Sequence, residues 1–113
     1  MIINRGSIKI MKQNNLKELT FPTRDCGTLT VRKVIYDTNE ALAVELDDEH
    51  GERFAVLSVN IPEDTHLLGP NEFFAKTWSE NERVAKDALA SGIFRYTGRT
   101  SDDIVNAQIW EFN

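Results

Sequence analysis

The chain of 113 residues is long enough for one domain with its own hydrophobic core, and its 41% hydrophobic and 27% charged content excludes a largely disordered protein. A single cysteine, Cys26, excludes an internal disulfide framework, and no apolar run approaches the roughly 20 residues that cross a bilayer. We therefore expect a small soluble cytoplasmic protein with no signal peptide and no membrane contact.

The formal net charge of −5 is divided unevenly along the chain. Residues 1–36 hold seven basic and two acidic side chains, whereas residues 37–113 hold six basic and sixteen acidic ones. Two solvated faces of opposite bias are the simpler interpretation, and an electrostatic interaction surface is the alternative.

The chain is predicted to divide into a short N-terminal segment and one domain. Residues 1–15 are expected to form either a flexible arm or an edge strand, in which Ile8 and Ile10 alternate with a lysine. Residues 16–113 are expected to form a single α+β domain, because strand patterns alternate with a helical one and no repeat is present.

Two strands open this domain. Leu16 to Thr23 alternates apolar and polar side chains, and Thr28 to Tyr36 is rich in β-branched residues, both of which are typical of strands. In the second strand, Leu29 and Val31 are expected to face the core.

The strongest pattern in the sequence is a hairpin between Ala41 and Ile61. One face of each arm is purely apolar and is therefore expected to lie on the core. These residues are Leu42, Val44 and Leu46 in the first arm, and Ala55, Leu57, Val59 and Ile61 in the second. Asp48 to Gly51 suits a four-residue turn, and Pro62 ends the second arm because it cannot donate to a ladder.

One helix is predicted after Trp78. Ser79 to Glu82 has the sequence of a capping box, Glu80 to Ser91 has helical periodicity, and Gly92 is suited to a left-handed stop. The apolar stripe of this helix consists of Val84, Ala85, Ala88 and Leu89.

The remaining segments are predicted to be extended: Phe73 to Trp78, Ile93 to Arg99 and Ile104 to Phe112. The expected fold is therefore α+β, with an antiparallel sheet of about five strands, formed by a meander and a C-terminal strand. One main helix, at about residues 80–91, packs on one face of this sheet.

The sequence contains no recognisable catalytic or metal-binding pattern. Two histidines and one cysteine do not make a ligand set, and the acidic turn at 47–52 lacks the spacing of a calcium loop. Cys26 has no strongly basic surroundings, and the serines lack a nucleophile-elbow context. We predict no catalytic residue, no cofactor and no metal site, and hence a protein that is not an enzyme.

Seven acidic residues and no basic residue lie between positions 37 and 52. They are Asp37, Glu40, Glu45, Asp47, Asp48, Glu49 and Glu52. On a hairpin they are expected to line one projecting edge that binds a basic protein surface, and the alternative is an edge that discourages strand pairing. The candidate interaction residues are Glu45, Asp47, Asp48, Glu49 and Glu52, and an acidic domain is not expected to bind nucleic acid.

Several short motifs resemble a family of small uncharacterised bacterial proteins carried on plasmids and conjugative elements. The motifs are residues 57–62, 74–82, 89–93 and 97–99, within a resemblance that spans roughly Leu19 to Phe112. The resemblance implies an accessory gene of mobile DNA and no known activity. It emphasises Asn60, Lys76, Trp78, Ser79, Asn81 and Glu82, of which Asn60, Lys76 and Trp78 are the candidate polar site.

The leading functional hypothesis is a non-enzymatic protein-interaction module, an accessory of mobile elements that counters host defence through its acidic hairpin. The alternative is a small-molecule or nucleic-acid binding module that uses the face around Asn60, Lys76 and Trp78. A closed pocket of roughly 300 Å³ or more at that face favours the alternative. An unidentified protein partner is expected, and the oligomeric state is left open.

Overall fold

The computed structural model describes residues 18–113 together with the backbone of residues 2–3 and 6–10. Residues 1, 4–5 and 11–17 lie outside the described residues. Most of the segment 1–15, which is predicted to be a flexible arm or an edge strand, is therefore not described beyond its backbone at 2–3 and 6–10. The described strands are Ile2–Ile3 (β1), Gly6–Ile10 (β2), Leu19–Pro22 (β3), Thr28–Tyr36 (β4), Leu42–Asp47 (β5), Arg53–Val56 (β6), Glu72–Ala75 (β7), Phe94–Thr100 (β8) and Gln108–Phe112 (β9). The helical segments are the 3₁₀ helices Pro62–Leu67 and Ser79–Asn81 and the α-helix Glu82–Ala90 (α1).

The larger sheet is antiparallel, with the strand order β1-β2-β4-β5-β6. The long strand β4 carries two strands on the edge opposite β5, because β2 pairs with its C-terminal part and β3 with its N-terminal part. The predicted meander of β3, β4 and the hairpin therefore forms the centre of this sheet. The register between β4 and β5 places Arg32 opposite Glu45.

The smaller sheet is also antiparallel and has the order β7-β9-β8. The chain passes from one sheet to the other directly after β6, where Ser58 forms a bridge with Ala75. Two backbone hydrogen bonds flank this bridge, from Val59 N to Phe74 O at 2.9 Å and from Lys76 N to Leu57 O at 2.7 Å. The predicted α+β class is confirmed, and the strands are divided between two sheets that this bridge connects.

The hydrophobic core lies between the two sheets and α1. Val44, Leu46 and Leu57 are fully buried in it, as the alternation in the hairpin predicts. Four aromatic rings from the smaller sheet pack there with centroids 4.9 to 6.2 Å apart. They belong to Phe73, Phe94, Trp110 and Phe112.

The helix has the predicted position but begins differently. Ser79 has φ of 58° and opens a 3₁₀ turn. The amide of Glu82 donates to the backbone carbonyl of Ser79 rather than to the Ser79 hydroxyl. The predicted capping box is therefore wrong. The helix ends at Ala90, and Gly92, two residues further, has the predicted left-handed backbone with φ of 82°. The apolar stripe is buried except for Leu89, which is 37% exposed.

The C-terminal strand is shorter than the alternation indicates. Strand β9 begins at Gln108, and residues 101–107 form a loop that contains Ile104 and Val105. Asn106 has φ of 53°, which interrupts extended backbone before the strand begins. Within the described residues, no helix has the length and apolarity that crossing a bilayer requires.

Candidate functional site

Two of the predicted acidic interaction residues are buried in an ion-pair cluster. Glu45 is 2% exposed, and its carboxylate lies 2.5 Å from Arg53 Nη2 and 3.9 Å from Arg32 Nη1. Asp47 is 9% exposed and lies 3.5 Å from both of these guanidinium groups. We call these four residues the charge cluster. Its negative charges are balanced within the fold, so they are not offered to a partner.

The cluster has a simple origin in the sheet. Glu45 alternates with Val44 and Leu46, so it projects from the face of β5 opposite to the core. The register brings Arg32 from β4 opposite Glu45, and Arg53 from β6 opposite Asp47. Neighbouring strands therefore supply the counter-charges that burial of a carboxylate requires.

The seven acids of residues 37–52 do not form one projecting edge. Asp37 and Glu40 lie in the loop before β5, and the charge cluster takes up Glu45 and Asp47 within the strand. The remaining three acids, Asp48, Glu49 and Glu52, lie in the turn at the other end of β5. The expected acidic edge is therefore split into two separated ends.

The turn after β5 uses two of its acids to hold the backbone. Asp48 Oδ1 accepts hydrogen bonds from His50 N at 2.8 Å and Glu52 N at 3.0 Å. The donation from Glu52, and then that from His50, lowers the pKa of the Asp48 carboxyl below its ordinary value. Glu49 Oε2 accepts from Thr28 N at 3.0 Å and so links this turn to the start of β4.

The structure brings together two of the three residues of the predicted polar site. Asn60 and Trp78 line the same surface groove. Lys76 does not line it, because its ammonium donates to Glu80 Oε2 at 2.6 Å. This hydrogen bond lowers the pKa of Glu80 to about 2. Lys76 therefore forms an ion pair with Glu80, four residues further along the chain, and is not part of the groove.

The groove beside Trp78 has a volume of about 160 Å³. We call it the Trp78 groove, and it is lined by Val59, Asn60, Ile61, Glu63, Trp78, Asp103 and Val105. Four of these side chains are apolar and two are carboxylates. Pockets for small-molecule ligands are usually about 300–1,000 Å³, so the Trp78 groove has the size of a receptor for one side chain rather than for a cofactor.

The loop of residues 101–107, which borders the groove, is held by its own hydrogen bonds. The buried hydroxyl of Ser101 donates to Asp103 Oδ1 at 2.5 Å and accepts from Ala107 N at 2.8 Å. The backbone amide of Ser101 closes the loop by donating to Ala107 O at 2.8 Å. Asp64, which is buried in the first 3₁₀ helix, accepts from Asp102 N at 2.9 Å. These bonds fix the loop on the body of the protein.

Two apolar side chains of this ordered loop face solvent. Ile104 is 97% exposed and Val105 is 49% exposed. We call this pair the apolar ridge. Single exposed apolar residues are ordinary, but here two adjacent residues stand on a fixed loop beside an apolar groove. The ridge and the Trp78 groove together make one continuous candidate binding surface, since Val105 belongs to both.

The rim of this surface is acidic. Glu63 and Asp102 form no ion pair with any described residue. Elsewhere in the domain, Glu72, Glu80, Asp87 and Glu111 are paired with arginine or lysine. Asp48, Glu49 and Glu52 in the hairpin turn, like the rim residues, form no ion pair with a described residue. Negative charge that no described cation pairs with is therefore present both at the groove rim and in the hairpin turn.

Sequence reasoning did not identify Glu63, Asp103, Ile104 and Val105 as site residues. Ile104 and Val105 fall in the segment that is predicted to be extended, because Val105 continues the alternation of Ala107 and Ile109. The missed signal is local: two acids, two apolar residues and an asparagine follow one another at 102–106. Asparagine tolerates left-handed backbone, so it marks a turn rather than a strand.

Comparison with protein-family models, with curated proteins and with solved structures finds no match for this chain. The resemblance to proteins of mobile elements therefore stays a prediction. Among the described residues, no three histidine, cysteine, aspartate or glutamate side chains are grouped as a metal site.

Proposed function

We propose that this protein is a non-enzymatic protein-interaction module whose contact surface is the apolar ridge with the Trp78 groove. The observation that carries the proposal is the exposure of Ile104 and Val105 on a loop that is fixed by Ser101, Asp103 and Asp64. Ordered apolar side chains bind a partner with little loss of conformational entropy. An adjacent groove supplies the pocket that an anchoring side chain of the partner needs.

A protein fits this surface better than the other ligand classes. The groove volume of about 160 Å³ is too small for a typical small-molecule site. Its carboxylates Glu63 and Asp103 repel the phosphates of a nucleic acid. A protein surface is able to cover the ridge and fill the groove in one contact.

The proposed class of function is the one that the sequence suggests, but the proposed contact surface is the apolar ridge with the Trp78 groove instead of the acidic hairpin. Glu45 and Asp47 are neutralised in the charge cluster, which leaves the hairpin turn with Asp48, Glu49 and Glu52. We still propose that the protein is an accessory protein of mobile DNA that binds a host protein. The proposed consequence of this binding is interference with host defence.

Site-specific photo-crosslinking in the cells that carry the gene tests the proposal. A photoreactive amino acid at position 104 of the full chain is expected to give an adduct of discrete mass. The matched control is the same amino acid at Leu19, an apolar residue that is 38% exposed on β3. The adduct at position 104 is expected to disappear when Val105→Asp is added, because a charge on the ridge opposes desolvation.

Two further results decide between the ridge and the hairpin. The variant Glu52→Lys reverses a charge in the hairpin turn and keeps the bond from Thr28 N to Glu49, and it is expected to leave the adduct at position 104 unchanged. Loss of the adduct in that variant assigns binding to the hairpin and overturns the proposed surface. Absence of an adduct at position 104, or the same adduct from position 19, contradicts the proposal altogether.

A further inference from the structure

The walls of the Trp78 groove combine apolar and anionic side chains. Val59, Ile61, Val105 and the indole of Trp78 are apolar, and Glu63 and Asp103 are anionic. A purely apolar anchor leaves the carboxylates without a partner, and a compact cation leaves the apolar walls without one. The side chain that satisfies both has an aliphatic stem and a cationic end.

We infer that the Trp78 groove binds an arginine side chain of the partner protein. This inference rests on the proposed interaction function and names the chemistry of the residue that enters the groove. The three methylene groups of the arginine lie along Val59 and Val105. The guanidinium group meets the carboxylates and the face of Trp78, since it is planar, stacks on aromatic rings and matches carboxylate geometry.

The groove size agrees with one such residue. A volume of about 160 Å³ is about half the lower limit for a small-molecule pocket, and one side chain fills it. Lysine fits less well, because its ammonium is a strongly hydrated point charge that neither stacks on an indole nor bridges two carboxylates in a plane.

Charge complementarity also favours a cationic side chain in the Trp78 groove. Glu63 makes no ion pair with any described residue, and one oxygen of Asp103, Oδ1, is occupied by Ser101 Oγ and Asn106 N. The second oxygen of Asp103 and the whole carboxylate of Glu63 are left for a cation. Arg99, the nearest arginine in sequence to this loop, is already held by Glu72 and by the carbonyl of Leu67. No described arginine or lysine pairs with Glu63 or Asp103, and we infer that a partner molecule supplies the cation.

The test is a nuclear magnetic resonance titration of the isotope-labelled full chain with two blocked tripeptides. One tripeptide has arginine between two glycines, and the other has citrulline, which keeps the shape and removes the charge. The arginine peptide is expected to shift the indole N–H of Trp78 and the amides of Glu63 and Val105 in a saturable way. The citrulline peptide is expected to bind at least about tenfold more weakly, which is a difference of about 1.4 kcal/mol.

Two variants make the assignment specific. Glu63→Gln, which changes one atom of an exposed side chain, is expected to weaken the arginine peptide about tenfold, to the level of the citrulline peptide. Glu52→Gln, which alters another exposed acid, in the hairpin turn, is expected to leave both affinities unchanged. The spectrum of each variant also reports whether it is folded.

The outcomes separate this inference from the proposed function. Equal affinity for both peptides, shifts that map to another surface, or no shifts at all overturn the arginine inference. If the photo-crosslink at position 104 forms under any of those outcomes, the interaction module stands and its partner offers another residue. If the crosslink also fails, the proposed function fails with it.

Discussion

The guanidinium group of Arg53 lies 2.5 Å from the carboxylate of Glu45, on the face of the larger sheet that points away from the helix. Arg32 approaches the same carboxylate from the other side at 3.9 Å. A carboxylate as buried as that of Glu45 is strongly destabilised unless a cation remains beside it. This pair therefore changes the role of the most acidic stretch of the sequence from recognition to folding.

Removal of Arg53 is expected to cost more stability than removal of an exposed arginine. We expect Arg53→Ala to lower the free energy of unfolding by about 3 kcal/mol. In this variant Glu45 stays buried, and Arg32, at 3.9 Å, is the cation that remains beside it in the charge cluster. The matched control is Arg83→Ala, which breaks an exposed pair with Asp25 and is expected to cost less than about 1 kcal/mol. Urea unfolding measures both variants. Equal losses contradict a stabilising role for the charge cluster.

The arrangement of the core was predictable, and the charge cluster was not. The alternation of Leu42, Val44 and Leu46 identifies the core face, since it depends only on the twofold period of a strand. Burial of Glu45 depends on which side chains stand opposite it in the sheet. That register includes a shift between Leu46 and Asp47, which no local pattern in the sequence reveals.

The candidate site was only partly predictable, because tertiary contacts decide which residues meet in it. Asn60 and Trp78 share a groove, although eighteen positions separate them in the sequence. Lys76, two residues before Trp78, does not line the groove, and its ammonium pairs with Glu80, four residues further along the chain. Ile104 and Val105 join the site through a loop whose shape depends on tertiary hydrogen bonds, such as that from Asp102 N to Asp64.

Two glycines with left-handed backbone provide a matched test of the contact between two turns. Gly27 has φ of 73°, and an added Cβ lies 2.9 Å from Glu49 Oε2, whereas Gly51 has φ of 80° and open space around it. We expect Gly51→Ala to cost about 1 kcal/mol through backbone strain. Gly27→Ala is expected to cost about 1 kcal/mol more, because Glu49 must move and release Thr28 N.

A double-mutant cycle isolates that extra cost. In a Glu49→Ala background the carboxylate is absent, so Gly27→Ala is expected to cost no more than Gly51→Ala. Thermal or urea unfolding of the four variants supplies the energies. If the two glycine substitutions are equally costly in the otherwise unchanged protein, the link between the turns carries no stability.

Tyr36 is expected to limit stability at alkaline pH. Burial raises the pKa of its phenol above 10.0, and the negative charge of Glu45 adds to this effect, while the 3.0 Å hydrogen bond with Ser58 opposes it. The folded protein therefore holds this proton more tightly than the unfolded chain does. The contribution of the neutral phenol is fully present below about pH 10 and is lost as the pH rises through the folded-state pKa.

Comparison with Tyr36→Phe measures this loss. Free energies of unfolding from about pH 9 to about pH 11 are expected to fall more steeply for the unchanged protein than for the variant, which has no proton to release at this position. Tyr96→Phe alters an exposed tyrosine and keeps Tyr36, so it is expected to follow the unchanged protein. Parallel curves for all three proteins contradict the assignment.

The order of the 101–107 loop is expected to control binding at the apolar ridge. Ser101→Ala removes the acceptor of Ala107 N and the donor to Asp103, so the amide of Ala107 is expected to exchange with solvent at least about tenfold faster. Crosslinking from position 104 is expected to fall, because the partner must then order the loop on binding. Ser91→Ala is a matched control, since Ser91 likewise donates to the carbonyl of Ala88 and accepts from Ile93 N at the end of α1.

The control separates a local effect from a general loss of stability. Ser91→Ala is expected to accelerate exchange at Ile93 and to leave both Ala107 and the crosslink unchanged. Should Ser101→Ala loosen the loop while the crosslink yield stays constant, the partner binds the ridge without needing it preformed. Binding then depends on the apolar character of Ile104 and Val105 alone, and the hydrogen bonds of the loop serve the fold rather than recognition.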